Sequence, residues 1–421
     1  MIRGLIRPDS LLAASVFAIL FAVSYRDDAS IIAGSRFFQD VTQSAHIAAL
    51  KQYSAVAFGV PAIAAAIILL SGWPARNVLG LMTAWLTALA LFIILRVLPT
   101  APEISGKVLI SASIFSLVVP AAMCVAGTKG GGAVAPVVFR GALGFAYLHV
   151  ALNLAMAFSG QGYHAGRFLG TTAHPNFIGV QLALCAMLML AGFSGRLPLK
   201  IFNALALAAA LGALMLTGSR TALVVFGFGA SVFWTARGVK LSHVLLVVGV
   251  LLLTSLGASA VGIDMDMTQY DRANGINTRG GAWTSLWRAV EEAPVAGLGE
   301  FPTSSENSYL RGWATIGIVY LVAYLGFVLA VVRCARSLRR VRARARAHHI
   351  FLGLLAGLLL GGVLEGFLLD TISPTIFLFL LSALALDAGR PKRMPRPQEF
   401  GSKALACEGR GPAPHAHATA P

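Results

Sequence analysis

Three short polar motifs could carry chemistry in this otherwise apolar chain. The motifs are His174-Pro175-Asn176, Ser219-Arg220 and Glu306-Asn307. Each stands at the start of an apolar stretch and is built from residue types that begin helices. Helix N-termini favour anions, because their free N–H groups and the positive end of the dipole face outward. A guanidinium and a carboxylate placed there can bind a polyanion and accept a proton, which is the chemistry of group transfer.

The first motif permits two interpretations. Proline is tolerated in the first turn of a helix, so His174-Pro175-Asn176 is consistent with a simple helix start. A histidine and an amide at the outer mouth of a helix, with Arg167 in the loop before them, also suit the binding of a sugar or a phosphate. Both interpretations remain open from the sequence.

The second motif lies in a very short turn between two apolar stretches. Gly218 can end one helix and Ser219 can cap the next. Arg220 then occupies a helix N-terminus, where the dipole disfavours a cation. An arginine placed against this preference indicates a bound anion. The alternative is that its side chain extends to lipid phosphate.

The polar segment 279–317 contains the third motif and is expected to begin with a helix. Arg279, Trp283 and Trp287 are spaced four apart, which places them on one helix face. Tryptophans of this kind most often anchor a helix at a membrane interface, and a platform for stacking sugars is the alternative. The glycines of residues 297–299 are expected to break the helix.

Carboxylates in two places need an explanation. Glu306, directly before Asn307 and an apolar stretch, can be a favourable helix cap or a partly desolvated general base. Glu365 falls within a predicted span and needs a polar partner, for which Arg140 is one candidate. Arg96 and Arg140 also lie in predicted spans, and both are expected to extend to a membrane surface.

The composition identifies the class of protein. Of the 421 residues, 57% are hydrophobic and 12% are charged, and the mean hydropathy is +0.77. Apolar runs of about 18 or more residues recur, each long enough to cross a bilayer core as a helix. We therefore predict an all-α polytopic membrane protein with about twelve transmembrane helices. The predicted spans are 8–25, 53–72, 77–99, 107–126, 135–158, 176–194, 200–216, 220–236, 241–260, 308–332, 350–369 and 374–387.

The distribution of charge predicts the topology. The net charge is +16, which is also typical of nucleic-acid-binding proteins. Most basic residues, however, fall on alternate loops, as the positive-inside rule requires when both termini are cytoplasmic. Nucleic-acid binding is therefore not expected. Residues 1–387 are predicted to form a transmembrane domain with a large outer loop at about 261–307, and residues 388–421 a disordered basic cytoplasmic tail.

Neither a metal site nor a disulfide framework is expected. The four cysteines fall in predicted spans or on the cytoplasmic side, and no CxxC pair occurs. Asp264, Asp266 and Asp271 superficially resemble a calcium-binding loop, but the terminal glutamate that such a loop requires is absent. We therefore predict no metal and no cofactor.

The order of the motifs resembles that of a known superfamily. HPN begins a span, GSR separates two close spans, R-x3-W precedes G-x-G in the outer loop, and ENSYL is followed by Gly317. Over roughly residues 140–335 this arrangement resembles the O-antigen ligases and Wzy-type polymerases. The resemblance implies a metal-independent glycosyltransferase of the bacterial inner membrane that uses polyprenyl-diphosphate-linked glycans. The large loop between spans nine and ten would then be periplasmic.

Individual positions match the superfamily unevenly. Arg220 matches its arginine at the tight turn, and Arg279 matches its arginine at the start of the loop helix. Glu306 stands where ligases carry histidine in the pattern H-[NSQ]-x9-G-x-x-G, and Tyr320 replaces the last glycine. The missing histidine favours a polymerase of O-antigen, capsule or exopolysaccharide. A ligase-type transferase that uses glutamate as its base is the alternative.

The resemblance also suggests roles and partners. Arg220 and Arg279 are expected to bind the donor diphosphate, while Glu306 deprotonates the acceptor hydroxyl. The candidates for substrate binding are Arg288, His174, Asn176, Arg167, Asn307 and Trp283. Expected partners are the polyprenyl-diphosphate-linked glycan, membrane lipid, and chain-length regulator and flippase proteins. A transporter with about twelve spans is a second class, although no half-to-half repeat is visible, and a membrane scaffold is a weaker third.

Overall fold

A computed structural model gives the positions of most of the predicted helices. The described residues are 8–24, 81–97, 134–164, 166–172, 174–193, 196–239, 278–300, 306–338, 346–366 and 373–388. The predicted spans 53–72, 107–126 and 241–260, the three aspartates of the outer loop and the tail from residue 389 lie outside them. Within the described residues the chain is mostly helical, in agreement with the predicted all-α class.

The described helices follow the predicted spans, with one exception. They are α1 (Pro8–Ser24), α2 (Leu81–Val97), α3 (Val134–Phe158), α4 (Pro175–Ala191), α5 (Leu197–Leu216), α6 (Arg220–Ala236), α7 (Thr278–Glu292), α8 (Ser308–Ile316), α9 (Ile318–Leu338), α10 (Arg346–Leu364) and α11 (Pro374–Ala388). Two short antiparallel strands, β1 (Tyr163–His164) and β2 (Arg167–Phe168), form a hairpin between α3 and α4. Helix α7 begins one residue before the predicted start at Arg279, and it ends at Glu292, before the glycines that were expected to break it.

The exception is the predicted span 308–332, which is two helices. Helix α8 ends at Ile316 and α9 begins at Ile318, and Gly317 between them has φ 89°. A side chain at Gly317 would collide with the backbone carbonyl of Val295, and Ile318 N–H donates to that same carbonyl at 3.2 Å. The break therefore arises because the loop after α7 packs directly against the chain at this point.

The lengths and surfaces of the helices define a membrane protein. Helices α3, α5, α9 and α10 are long and apolar enough to cross a bilayer, and α1, α4, α6 and α11 are shorter apolar helices. Large apolar side chains such as Leu205, Val322 and Leu325 stay exposed on α5 and α9. A bilayer would cover this apolar surface, whose exposure to water would be unfavourable. The chain is therefore a multi-pass helical membrane protein, and the number of twelve spans stays a prediction.

Helices α4, α6 and α10 form the centre of the described bundle. Every side chain of α4 from Ile178 to Met189 is buried. Helices α6 and α10 run antiparallel and approach each other at glycines, since a Cβ on Gly353 would lie 2.6 Å from the carbonyl oxygen of Gly229. Small residues permit this close helix packing within a membrane. The contact sets the relative height of the two helices, so the start of α6 meets the end of α10.

Candidate active site

The first two motifs begin helices, as the sequence predicts. His174 is the N-cap of α4, and its Nδ1 accepts a hydrogen bond from the backbone N–H of Asn176 at 3.1 Å. Ser219 is the N-cap of α6, and its hydroxyl accepts from the N–H of Ala222 at 3.3 Å. Both side chains satisfy N–H groups that the first turn of a helix leaves without a partner.

In the third motif the asparagine, and not the glutamate, is the cap. Asn307 is buried, and its Oδ1 accepts from the N–H groups of Tyr309 and Leu310 at 2.9 and 3.0 Å. Glu306 lies one residue outside the cap and is only partly buried. The capping interpretation of Glu306 is therefore wrong, because Asn307 already supplies the acceptor that the first turn of α8 requires.

Glu365 connects all three motifs. It follows the last residue of α10 and is only 8% exposed. Its Oε1 accepts hydrogen bonds from Asn176 Nδ2 at 2.7 Å and from Thr221 Oγ1 at 3.2 Å. Its backbone carbonyl accepts from Ser308 Oγ at 2.7 Å. One buried residue thus contacts the N-termini of α4 and α6 through its carboxylate and that of α8 through its backbone carbonyl.

These contacts correct the expected partner of Glu365. Arg140 was the candidate, but it is exposed in the second turn of α3. The end of α3 near this site is marked by Asn153, whose Oδ1 accepts from the N–H of Thr171 in the loop before α4. Arg140 lies about 20 Å farther along the helix. Two donors from the motifs themselves, Asn176 and Thr221, bind the carboxylate of Glu365.

Arg167 binds backbone carbonyls of the turn before α6. Its Nε donates to the carbonyl of Thr217 at 3.0 Å, and its Nη2 donates to the carbonyl of Gly218 at 3.2 Å. Nη2 also lies 3.4 Å from Asn176 Oδ1. The β-hairpin, in which Tyr163 pairs with Phe168, carries Arg167 to this position. Partial burial raises the pKa of the neighbouring Tyr163 hydroxyl, which therefore stays neutral. These bonds give Arg167 a clear positioning role.

Arg220 is arranged in the opposite way. It is the first residue of α6, it is exposed, and its guanidinium makes no hydrogen bond or ion pair with any described residue. The next residue, Thr221, is buried and bonded to Glu365. Arg220 therefore adds its charge to the positive end of the helix dipole, at the rim of a site whose interior is fixed by hydrogen bonds. Such a guanidinium is available to a phosphate oxygen.

Helix α7 is attached to the third motif by its tryptophans. Trp283 Nε1 donates to the backbone carbonyl of Glu306 at 3.4 Å. Trp287 packs edge-on against Trp313 of α8, with ring centroids 5.8 Å apart. Both contacts lie on the predicted face of α7, and they hold the helix beside the start of α8. The tryptophans therefore have a structural function here that neither of the two sequence interpretations included.

Of the two arginines of α7, Arg288 alone has a described side chain. Arg279 belongs to the first turn of α7, one turn before Trp283, and its side chain lies outside the described part of the chain. Arg288 is exposed, next to Trp287. The structure thus brings the helix that carries both arginines to Glu306, while it does not bring the Arg288 guanidinium into contact with the residues around Glu365.

Arg96, at the end of α2, fixes the loop between α7 and α8. Its Nε donates to the carbonyl of Ala296 at 2.8 Å, and its Nη2 donates to the carbonyl of Gly297 at 2.5 Å. The same loop donates from the N–H of Gly299 to the carbonyl of Thr315 at 2.9 Å. Instead of only extending to the membrane surface, Arg96 holds the glycine turn that leads to Glu306.

Sequence reasoning missed two members of this site, Thr221 and Ser308. Both are buried, and each directly follows or lies within a motif that the sequence singled out. The available signal was Glu365, since a carboxylate in an apolar span requires donors and hydroxyl groups are suitable ones. Among the described residues, no group of three or more His, Cys, Asp or Glu side chains is placed to hold a metal ion.

The fold and the site define a multi-pass membrane protein with a cluster of hydrogen-bonded polar residues at one end of its helix bundle. Residues 205–325 match the family model described as O-Antigen ligase. The match confirms the superfamily resemblance predicted from the motifs. The matched region includes Arg220, Arg279 and Glu306, but His174 and Glu365 lie outside it. No curated protein matches the sequence.

Proposed function

We propose that the protein is an inner-membrane transferase that polymerises polyprenyl-diphosphate-linked oligosaccharide repeat units at the periplasmic face. The observation that carries the proposal is the arrangement around Glu365. Arg220, Glu306 and His174 each lie within two residues of a residue that donates to Glu365, namely Thr221, Ser308 and Asn176. The side chains proposed as the diphosphate-binding cation and as the base, together with an imidazole, therefore extend from backbone positions close to Glu365. The match to the O-antigen ligase family supports this type of reaction.

The proposed reaction transfers a glycan from one oxygen to another. The hydroxyl oxygen of the acceptor sugar attacks the anomeric carbon of the donor, and the bond between that carbon and the diphosphate oxygen breaks. Glu306 accepts the hydroxyl proton, and polyprenyl diphosphate leaves with the bonding electrons. Arg220 and Arg279 stabilise the charge that develops on the leaving group. No metal is required for this balance.

The remaining candidates divide into binding and positioning residues. Arg288 and Trp283 lie on α7 and would contact the glycan or its diphosphate from the side of the loop. His174 would orient a sugar hydroxyl or a phosphate oxygen. Asn176, Asn307 and Arg167 act through other residues, because their described bonds go to Glu365, to the first turn of α8 and to the turn before α6.

A ligase-type transferase is the second candidate function. The matching family model bears the description O-Antigen ligase, which favours transfer of a finished glycan to another acceptor. Glu306 at the position of the ligase histidine favours the polymerase. Both reactions break the same donor bond, so they share the roles of Arg220 and Glu306 and differ in the acceptor. Chain-length regulator and flippase proteins are proposed partners in either case.

The test is the size distribution of the surface glycan, together with the lipid-linked intermediates, in a strain that lacks the protein. Single repeat units in place of long chains support the polymerase. Full-length chains that stay on the polyprenyl carrier support the ligase. An unchanged glycan profile contradicts both the polymerase and the ligase and favours the transporter.

Complementation with single variants tests the proposed base. Glu306→Gln is expected to insert into the membrane normally and to restore no product. Glu300→Gln is the matched control, since Glu300 is an exposed carboxylate of the same loop, and it is expected to restore a normal profile. Normal product from Glu306→Gln would remove Glu306 from the role of base.

A further inference from the structure

A second polar cluster lies at the opposite end of the α6–α10 pair. Helix α6 ends at Ala236 with Arg237 as its C-cap, and α10 begins at Arg346. Because the two helices are antiparallel and Gly229 lies against Gly353, the C-terminus of α6 stands beside the first turn of α10. Arg237 is close enough to interact electrostatically with both Arg346 and His349.

Two histidines of this first turn have buried ring nitrogens that find no hydrogen-bond partner among the described residues. His348 and His349 are 8% and 3% exposed. Neither ring nitrogen of His348, nor Nε2 of His349, nor Nε of Arg346, has a hydrogen-bond partner in the part of the chain that the structure describes. Buried nitrogens of this kind are rarely left unsatisfied in native proteins. Something outside the described residues is therefore expected to accept hydrogen bonds from them.

The electrostatics of the cluster select an anion. The groups that act on His349 are His348 and Arg237, so its charged neighbours are basic. Arg346 is the first described residue of α10 and lies at the end of the helix where the dipole is positive. Asp387, near the end of α11, is a buried carboxylate on the same side of the bundle. Water would satisfy the hydrogen bonds but would not offset this accumulation of positive charge.

We propose that Arg237, Arg346, His348 and His349 form a binding site for a phosphate group, separate from the proposed transferase site. Guanidinium groups, imidazole N–H groups and a helix N-terminus are the donors that phosphate oxygens accept from. Within a membrane, the phosphate is that of an anionic lipid headgroup. The binding would attach the basic end of the central helix pair to the membrane surface.

The test uses the full-length protein in nanodiscs of phosphatidylcholine, with or without phosphatidylglycerol. Phosphatidylglycerol is expected to raise the unfolding temperature of the wild-type protein and to remain bound in native mass spectrometry. Each basic side chain near a lipid surface contributes about a factor of five in affinity, so Arg237→Gln with Arg346→Gln should weaken retention about thirtyfold. Arg196→Gln is the matched control, because Arg196 is an exposed arginine that forms no side-chain cap at the start of α5, on the same side of the bundle.

Two comparisons make the test decisive. Inorganic phosphate added to phosphatidylcholine nanodiscs distinguishes the sources: protection equal to that of phosphatidylglycerol supports the site and assigns it to free phosphate. Absence of protection by either phosphate source in the wild-type protein overturns the proposal without any variant. An equal loss of retention in Arg196→Gln also overturns it, since the effect would then be general surface charge. None of these outcomes depends on transferase activity.

Discussion

The two ends of the α6–α10 helix pair differ in how their buried polar groups are hydrogen-bonded. At the Glu365 end, the carboxylate receives hydrogen bonds from Asn176 and Thr221, and its carbonyl receives one from Ser308. At the other end, nitrogens of Arg346, His348 and His349 are buried without partners among the described residues. The same two helices thus carry one polar cluster that is connected internally and one that depends on something else.

The difference indicates two kinds of ligand site. A network whose members bond to each other holds its geometry before substrate arrives, which suits a reaction that requires fixed positions. Only its rim, where Arg220 is exposed, remains for the substrate. A cluster whose members lack partners becomes complete only when its ligand is bound, which suits a structural anion.

The largest expected effect comes from removing the charge at the rim. Arg220→Ala should lower transferase activity about 10²–10³-fold, or about 3–4 kcal/mol, because it removes a donor aimed at charge that develops in the transition state. The expected unfolding temperature is that of the wild type, since Arg220 bonds to no described residue. Product formation by membranes of each variant is the measurement. Arg220→Lys keeps the charge without the bidentate geometry, so its activity should lie between that of the wild type and that of Arg220→Ala.

The matched control for this experiment is Arg196→Ala, at the start of α5. Arg196 is the N-cap of α5. It is exposed, and its side chain forms no capping hydrogen bond. Its activity is expected to equal that of the wild type. Activity retained by Arg220→Ala would show that the exposed arginine is a lipid anchor, and the contrast between a prepared site and a structural one would then lose its main support.

The next effect comes from breaking the internal network. Glu365→Leu removes the acceptor of the partly buried Asn176 and the buried Thr221, at a cost of about 2–3 kcal/mol in folding stability. Glu365→Gln keeps an acceptor oxygen for both donors and should stay close to the wild type in unfolding temperature. The measurement is thermal unfolding in nanodiscs, followed by product formation at a temperature where both variants are folded.

This pair of variants separates positioning from proton transfer. If Glu365 positions the three helices, Glu365→Gln retains most activity and Glu365→Leu loses it. If both variants keep the stability of the wild type but lose all product, Glu365 is a proton acceptor, and the assignment of that role to Glu306 is contradicted.

A third effect tests the helix contact that lies between the two ends. A Cβ on Gly353 would lie 2.6 Å from the carbonyl oxygen of Gly229, so Gly353→Ala should overpack this contact and destabilise the protein by about 2 kcal/mol. Gly212→Ala is the control, because nothing lies within 4 Å of a Cβ there. The unfolding temperature should be lower for Gly353→Ala and unchanged for Gly212→Ala. An unchanged unfolding temperature for Gly353→Ala would show that α6 and α10 do not depend on close contact.

Local features of this molecule could be predicted from the sequence, because they depend on neighbouring residues. His174 and Ser219 begin helices through bonds to residues two or three positions away, and the spacing of Trp283 and Trp287 defines one face of α7. The short motifs therefore carry information that is independent of the rest of the chain.

Contacts between distant residues were beyond this reasoning. Asn176 and Glu365 are separated by 189 positions, and the apolar composition of both helices fits many pairings equally well. The sequence shows that Glu365 needs a donor, but not which donor, so Arg140 was as reasonable as Asn176. The break at Gly317 likewise depends on Val295, which approaches from another helix connection.

The smallest expected effect tests one of these unpredicted contacts. Thr221→Val removes the hydroxyl that donates to Glu365 Oε1 at 3.2 Å while keeping the shape of the buried side chain. Glu365 retains the bond from Asn176, so the expected cost is about 1 kcal/mol in folding stability, measured as a small fall in the unfolding temperature. Thr221→Ser restores the hydroxyl and should recover the stability, although it loses a methyl group. If Thr221→Val equals the wild type and Thr221→Ser does not, packing rather than hydrogen bonding matters at this position, and the internally connected end would then rest on the contacts of Asn176 and Ser308.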